Sequence, residues 1–105
     1  MDLEITAEET KKKLDAKEAV LLDVREPWEV QAASIAGAKL VPMGELQRRQ
    51  QELDPEEHII VMCHGGVRSL KVTHWLRGQG FEKVQSMRGG IDAWSRKVDP
   101  KVPTY

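Results

Sequence analysis

Short apolar runs rich in β-branched residues alternate along this chain with helix-type segments, and only a few residues separate each from the next. The two most apolar runs, residues 19–24 and Ile59–Met62, are almost continuously hydrophobic, which is typical of strands covered on both faces. Strands joined through intervening helices pair in parallel by right-handed crossovers. The alternation therefore predicts an α/β fold of three layers, α/β/α, around a small and mainly parallel central sheet.

Local signals bound the predicted elements. Thr6 followed by Glu9 has the pattern of a capping box, which predicts a helix through about Leu14. Gly78 and Gly80 predict the end of a later helix. The remaining predicted elements are, in order, helix 27–33, strand 39–41, helix 44–52, strand 59–62, helix 69–77, strand 83–87 and helix 90–97. In such a sheet, ligands bind beyond the carboxyl ends of the strands.

The composition restricts the class of protein. With 105 residues the chain suits one domain, which we expect to span residues 1–105. Its 16 Lys and Arg residues against 17 Asp and Glu residues form no dense basic block, so we expect no nucleic-acid partner. The apolar runs are too short for a membrane span. The acidic start lacks the pattern of a secretory signal, so we expect a cytoplasmic protein.

A single cysteine, Cys63, directly follows the apolar run Ile59–Met62. One cysteine excludes an intrachain disulfide and a cysteine-rich zinc site, and leaves either an inert buried residue or a reactive thiol. The residues that connect it to the next predicted helix are His64, Gly65, Gly66, Val67, Arg68 and Ser69.

This connection has the composition of an anion-binding loop. Its two glycines let the backbone curl so that consecutive N–H groups point inward. The amino terminus of the following helix and the charge of Arg68 add positive potential at the same place. Each effect favours a thiolate over a thiol, so the sequence predicts that Cys63 is a nucleophile near neutral pH.

Further segments surround this loop in a fixed order. They read LDVREPWE at 22–29, IAGA at 35–38, VP at 41–42, CHGGVRS at 63–69, WL at 75–76, GF at 80–81 and GGIDAW at 89–94. With these motifs the chain resembles the rhodanese-like sulfurtransferases over most of its length. It departs from the family at Ala33-Ser34, where relatives usually carry Gly-His, and at Met62, where relatives often carry an aromatic residue.

The resemblance implies a rhodanese-like fold and a chemistry for Cys63. The cysteine would take a sulfane sulfur from thiosulfate or a persulfide donor and become a persulfide. It would then pass the sulfur to a thiol, cyanide or a partner-protein cysteine, with no metal or organic cofactor. Four residues lie between Cys63 and Arg68, one fewer than in the related dual-specificity phosphatases, and this shorter loop looks like that of the sulfur-transferring members.

Residues in and near the loop receive expected roles. Arg68 is expected to bind the anionic donor and to help hold the persulfide, and Ser69 to hydrogen-bond within the loop or cap the helix. We expect His64 to tune access rather than to act as a general base. Charged residues at the other strand ends are candidates for supporting or rim positions: Asp23 as structural support, and Arg25 and Arg88 as rim charges.

Two other functions fit the same segment. One is a persulfide carrier or sensor module with little turnover of small molecules, because a competent loop does not by itself establish turnover. The other is a phosphatase or arsenate reductase with the same nucleophile, which the short loop disfavours.

Overall fold

Five parallel strands form the central sheet in the computed structural model, which describes residues 1–105. The strands are β1 (Glu4–Ile5), β2 (Val20–Asp23), β3 (Lys39–Leu40), β4 (Ile59–Met62) and β5 (Val84–Met87), in the spatial order β1-β5-β4-β2-β3. Every neighbouring pair is parallel, which confirms the predicted fold class. Because β4 occupies the middle of the sheet, the residue after it emerges at the centre of the carboxyl edge.

Helices cover both faces of the sheet. They are α1 (Ala7–Asp15), α2 (Pro27–Ala32), α3 (Leu46–Arg49), α4 (Val67–Gly78) and α5 (Gly90–Lys97). In β4, Ile59 and Val61 belong to the core cluster that α4 covers, whereas Ile60 and Met62 belong to the cluster that α5 covers. All four side chains are at most 1% exposed, which explains the unbroken apolar run.

The first helix begins where the sequence predicts. The Glu9 N–H donates to Oγ1 of Thr6 at 3.1 Å, so the hydroxyl satisfies one of the helix's unpaired amino-terminal donors. None of the helices is long and apolar enough to cross a membrane.

Three elements differ from the prediction. The helix predicted over 44–52 is broken into α3 and two flanking 3₁₀ turns, Met43–Glu45 and Gln50–Glu52, because Leu46 alone of these residues is buried. Strand β1 has no counterpart in the prediction, since two half-buried residues that pair with β5 alone produce no periodic pattern. Helix α4 begins at Val67 instead of residue 69.

Candidate active site

Cys63 lies at the carboxyl end of β4, and only 1% of its surface is exposed. The chain then turns sharply into α4 at Gly66, whose φ of 106° lies in the left-handed region that favours glycine. A Cβ at Gly66 would also lie 3.2 Å from the backbone nitrogen of Gly89. The loop that connects Cys63 to Ser69 therefore takes the tight path that its glycines predict.

Two backbone N–H groups and one hydroxyl surround the sulfur of Cys63. The N–H groups of Gly66 and Ser69 donate to Sγ at 3.1 and 3.3 Å, and the Ser69 hydroxyl oxygen lies 3.4 Å from the sulfur. Hydrogen bonds of this kind stabilise a thiolate more than a thiol. The other N–H groups of the loop donate to no protein acceptor; they belong to His64, Gly65, Val67 and Arg68. The loop thus retains donors for a second anionic atom beside Sγ.

The turn between β5 and α5 supports this loop from the neighbouring strand. The Ile91 N–H donates to the Cys63 carbonyl at 2.9 Å, and the Asp92 N–H donates to the His64 carbonyl at 3.3 Å. Gly90 has a φ of 59°, and a Cβ there would collide with the same two carbonyl groups. Sequence reasoning did not assign Gly90 to the site, although paired glycines after a strand are the signal of such a close approach.

Arg68 is held by a carboxylate that the sequence prediction did not assign to the site. Its Nη1 and Nη2 donate to the two carboxylate oxygens of Glu29, both at 2.8 Å. The hydrogen bonds from Arg68 lower the pKa of Glu29 to about 2 against the opposing effect of burial, and Glu29 in turn raises the pKa of Arg68. The guanidinium is therefore fixed at the loop, 30% exposed, and Glu29 balances its charge.

The structure corrects the candidate rim position of Arg25. Its side chain is fully buried, and its Nε and Nη2 donate to both carboxylate oxygens of Asp23 at 2.9 and 2.7 Å. Other donors reach the carbonyl oxygens of Glu29 and Ala33. Burial acts to lower the pKa of Arg25, but its hydrogen bonds with Asp23 and Tyr105 raise it. Both Asp23 and Arg25 are thus internal supports rather than charges open to a ligand.

Tyr105 lies over the loop, and sequence reasoning missed it. Its ring stacks on His64 with centroids 4.1 Å apart and planes 12° apart. Its hydroxyl donates to Oε1 of Glu29 at 2.8 Å and accepts from Nη1 of Arg25 at 3.0 Å. Burial raises the pKa of Tyr105, so its hydroxyl keeps the proton that binds Glu29. No local pattern predicts a contact between residues so distant along the chain.

The other side chains of the loop are partly or largely exposed. The His64 side chain is 35% exposed, but its Nε2 is buried and makes no hydrogen bond, although it lies 3.3 Å from Oδ1 of Asp92. Val67 is 69% exposed, as is Trp28 at 65% on the neighbouring α2. Arg88 is exposed and pairs with Oε1 of Glu4 at 3.4 Å, so its polar side-chain contact is with β1 and not with the loop.

A groove of about 370 Å³ between α3 and α4 includes no loop residue in its lining, which is Met43, Gly44, Leu46, Gln47, Lys71, Val72 and Trp75. No group of three or more His, Cys, Asp and Glu side chains is arranged to hold a metal ion.

Comparison with known proteins shows the family to which the sequence and fold are similar. Residues 6–97 match the family described as the Rhodanese-like domain. The Arabidopsis thaliana Rhodanese-like/PpiC domain-containing protein 12, chloroplastic, is 45% identical over 92 residues, which are 84% of this chain and 31% of that protein. The chain likewise spans 52% of a Bacillus subtilis relative.

Other relatives match along nearly their whole length. A protein named Sulfurtransferase from Allochromatium vinosum is 33% identical over 100 residues, covering 94% of both chains. The human single-domain sulfurtransferase structure superposes with a TM-score of 0.83 at 26% identity, covering 92% of this chain and 98% of that one.

Proposed function

The chain belongs to the rhodanese-like family of sulfurtransferases, and we propose that it transfers a sulfane sulfur through a persulfide on Cys63. The observation that carries the proposal is the convergence of the Gly66 N–H, the Ser69 N–H and the Ser69 hydroxyl on Sγ. The unpaired N–H groups of the same loop would bind the outer sulfur of the persulfide, which carries the negative charge.

The reaction balances in two displacement steps. The Cys63 thiolate attacks the outer sulfur of thiosulfate, the S–S bond of the donor breaks, and its electron pair leaves with sulfite. A thiolate or cyanide then attacks the outer sulfur of the persulfide, and the electron pair of that S–S bond returns to Sγ. The covalent intermediate separates loading from unloading, so the kinetics should be ping-pong. Neither step consumes an oxidant or a reductant.

Arg68 contributes donors more than net charge in this proposal. Glu29 occupies two of its five N–H groups and balances its charge. Its other N–H groups remain free to bind an anionic sulfur donor at the partly exposed side of the loop. Glu29 and Tyr105 hold the guanidinium in one orientation, so it need not be ordered when the donor binds.

A protein acceptor is the second candidate route for the sulfur. Trp28 and Val67 are exposed apolar side chains on elements that begin at the carboxyl ends of β2 and β4. Apolar groups beside the nucleophile suit contact with a partner protein. A carrier would show slow turnover of thiosulfate but fast transfer to the partner's cysteine. The predicted cytoplasmic location remains a prediction, and one relative is named as chloroplastic.

A donor panel tests the proposal. The protein is incubated with thiosulfate, glutathione persulfide or 3-mercaptopyruvate and then analysed by intact mass and peptide mapping, with Cys63→Ala as the matched control. We expect a mass increase of one sulfur atom on Cys63, removed by cyanide as thiocyanate and absent from the control. No adduct with any donor, or aryl-phosphate hydrolysis that depends on Cys63, would overturn the proposal.

A further inference from the structure

Two buried hydroxyl groups form a chain behind the reactive sulfur. Ser86 Oγ lies 2.7 Å from Ser69 Oγ, which in turn lies 3.4 Å from Sγ of Cys63. Both serines are 0% exposed. Ser86 belongs to β5 and pairs with Val61 of β4, so the neighbouring strand places its hydroxyl beside the base of the loop. None of the motifs around the loop contains Ser86.

The number of available acceptors determines the direction of the hydrogen bond between Ser86 and Ser69. The Ser86 hydroxyl has one hydrogen-bond partner, Ser69 Oγ, and a buried O–H without an acceptor is unfavourable. Ser86 therefore donates to Ser69. The neutral Cys63 thiol can itself donate to Ser69 Oγ, but a thiolate has no proton to donate, so the Ser69 proton turns to Sγ once Cys63 is ionised. In the reverse direction, the Ser86 proton would have no acceptor in a place that water does not reach.

We propose that Ser86 is a positioning residue for sulfur transfer, because it aims the Ser69 hydroxyl at Sγ of Cys63. The inference rests on the proposed function and adds a residue to its site. A polarised hydroxyl chain donates more strongly than a single hydroxyl. It stabilises Sγ as the attacking thiolate during loading, and again as the leaving thiolate when the persulfide bond breaks. The Ser69 proton stays on its oxygen in both steps.

The charged groups around the loop are common to every variant needed for the test. They are Arg68 and His64 of the loop, Glu29 of α2, Asp92 of α5, the Asp23–Arg25 pair and Tyr105. A change in the titration of Cys63 among serine variants therefore reports on the hydroxyl chain. The protein also offers a control serine outside the hydroxyl chain: Ser95 Oγ is buried and has no hydrogen-bond partner.

The experiment measures the pH dependence of Cys63 alkylation by iodoacetamide, which is unambiguous because Cys63 is the only cysteine. We expect Ser86→Ala to raise the pH midpoint by about 0.5 unit and Ser69→Ala to raise it by about 1 unit, since a hydrogen bond to a charged group is roughly twice as strong as a neutral one. The double variant should match Ser69→Ala, because Ser86 acts through Ser69. Ser95→Ala should keep the original midpoint.

A second variant separates hydrogen bonding from packing. Ser86→Thr retains the hydroxyl and should keep the midpoint, whereas Ser86→Gly also lacks the hydroxyl and replaces Ser86→Ala if that variant does not fold. An unchanged midpoint in Ser86→Ala, an additive shift in the double variant, or an equal shift in Ser86→Thr would overturn the inference. Discharge of a preloaded persulfide to cyanide should slow about twofold to fivefold in Ser86→Ala. If neither the wild type nor any variant forms a persulfide, the proposed function fails. The alkylation midpoints still decide whether Ser86 acts on Cys63.

Discussion

The loop after β4 and the end of β2 place polar groups at the same edge of the sheet but use them differently. Around Cys63 the donors are neutral, namely backbone N–H groups and one hydroxyl, and they converge on the reacting atom. Around β2 the groups are charged and bind partners of opposite charge: Asp23 binds Arg25, and Glu29 binds Arg68, which reaches it from the loop. The charged region fixes positions, whereas the neutral region stabilises the sulfur anion, because aligned dipoles need no counter-ion.

Gly90→Ala should disrupt the neutral region most. A Cβ at Gly90 collides with the carbonyl groups of Cys63 and His64, which shifts the loop that aims its donors at Sγ. We expect kcat/KM to fall by more than about a hundredfold and the free energy of unfolding by about 2–4 kcal/mol. Urea denaturation and steady-state kinetics measure both.

Gly44→Ala is the matched control for that change, since no atom lies within 4 Å of its added Cβ and its φ is not left-handed. Should Gly90→Ala behave like Gly44→Ala, the loop does not depend on the β5–α5 turn.

Arg68→Ala tests what the charged region contributes to binding of the sulfur donor. The substitution removes N–H groups that would bind the anionic sulfur donor. It also leaves the Glu29 carboxylate without the partner that it has in Arg68. We expect kcat/KM for thiosulfate to fall about tenfold to a hundredfold, with KM affected more than kcat, and Arg68→Lys to retain part of the activity. Arg49→Ala is the control, because Arg49 at the end of α3 also pairs with carboxylates, those of Glu45 and Glu52. Full activity of Arg68→Ala at thiosulfate well below saturation would remove Arg68 from the site.

Glu29→Gln tests whether the charged region is structural. The pKa of Glu29 is lowered to about 2 from 4.5, so its ionisation stabilises the fold above about pH 5, and this contribution disappears as the pH falls toward 2. At neutral pH the variant should lose about 2–3 kcal/mol of unfolding free energy, and the gap to the wild type should close on acidification. Urea denaturation between pH 7 and about pH 3 measures the gap.

Glu52→Gln is the control for that titration. The pKa of Glu52 is also lowered to about 2, by Arg49 and Lys39, but its side chain is 35% exposed. Salt should screen this surface pair more than the Glu29–Arg68 pair, in which the carboxylate is buried and the guanidinium partly exposed. If both gaps respond equally to salt, Glu29 is not the buried support described above.

Tyr105→Phe should have the smallest effect. It keeps the ring on His64 and removes the hydroxyl that donates to Glu29. We expect KM for thiosulfate to rise about twofold to threefold with kcat nearly unchanged, because Arg68 keeps its carboxylate but is held less firmly. A large fall in kcat would instead place Tyr105 at the reacting atoms.

The sequence predicts those parts of the site that are local in the chain. Continuous hydrophobicity identifies β4, and the glycines after Cys63 predict the loop, because both signals lie within a few residues of each other. The capping signal at Thr6 predicts the start of α1 for the same reason.

Partners that depend on distant contacts are not predictable in this way. Glu29 lies 39 residues before Arg68 in the chain, and Tyr105 lies 41 residues after His64. No periodicity in the sequence connects either pair. The predicted rim position of Arg25 is wrong, because a charge at a strand end normally faces water whereas Arg25 is buried. The spacing of two residues between Asp23 and Arg25 predicts that they contact each other, since alternate residues of an extended segment share a face.

The measurement that most directly tests the central claim compares the two regions in one assay. The pH midpoint of Cys63 alkylation is determined for Ser69→Ala, which removes a neutral donor, and for the double variant Arg68→Met with Glu29→Gln, which removes the ion pair without changing net charge. The account predicts a rise of about 1 unit for Ser69→Ala and less than about 0.3 unit for the double variant. The opposite order would show that the charge of Arg68, and not the neutral donors of the loop, holds the sulfur anion.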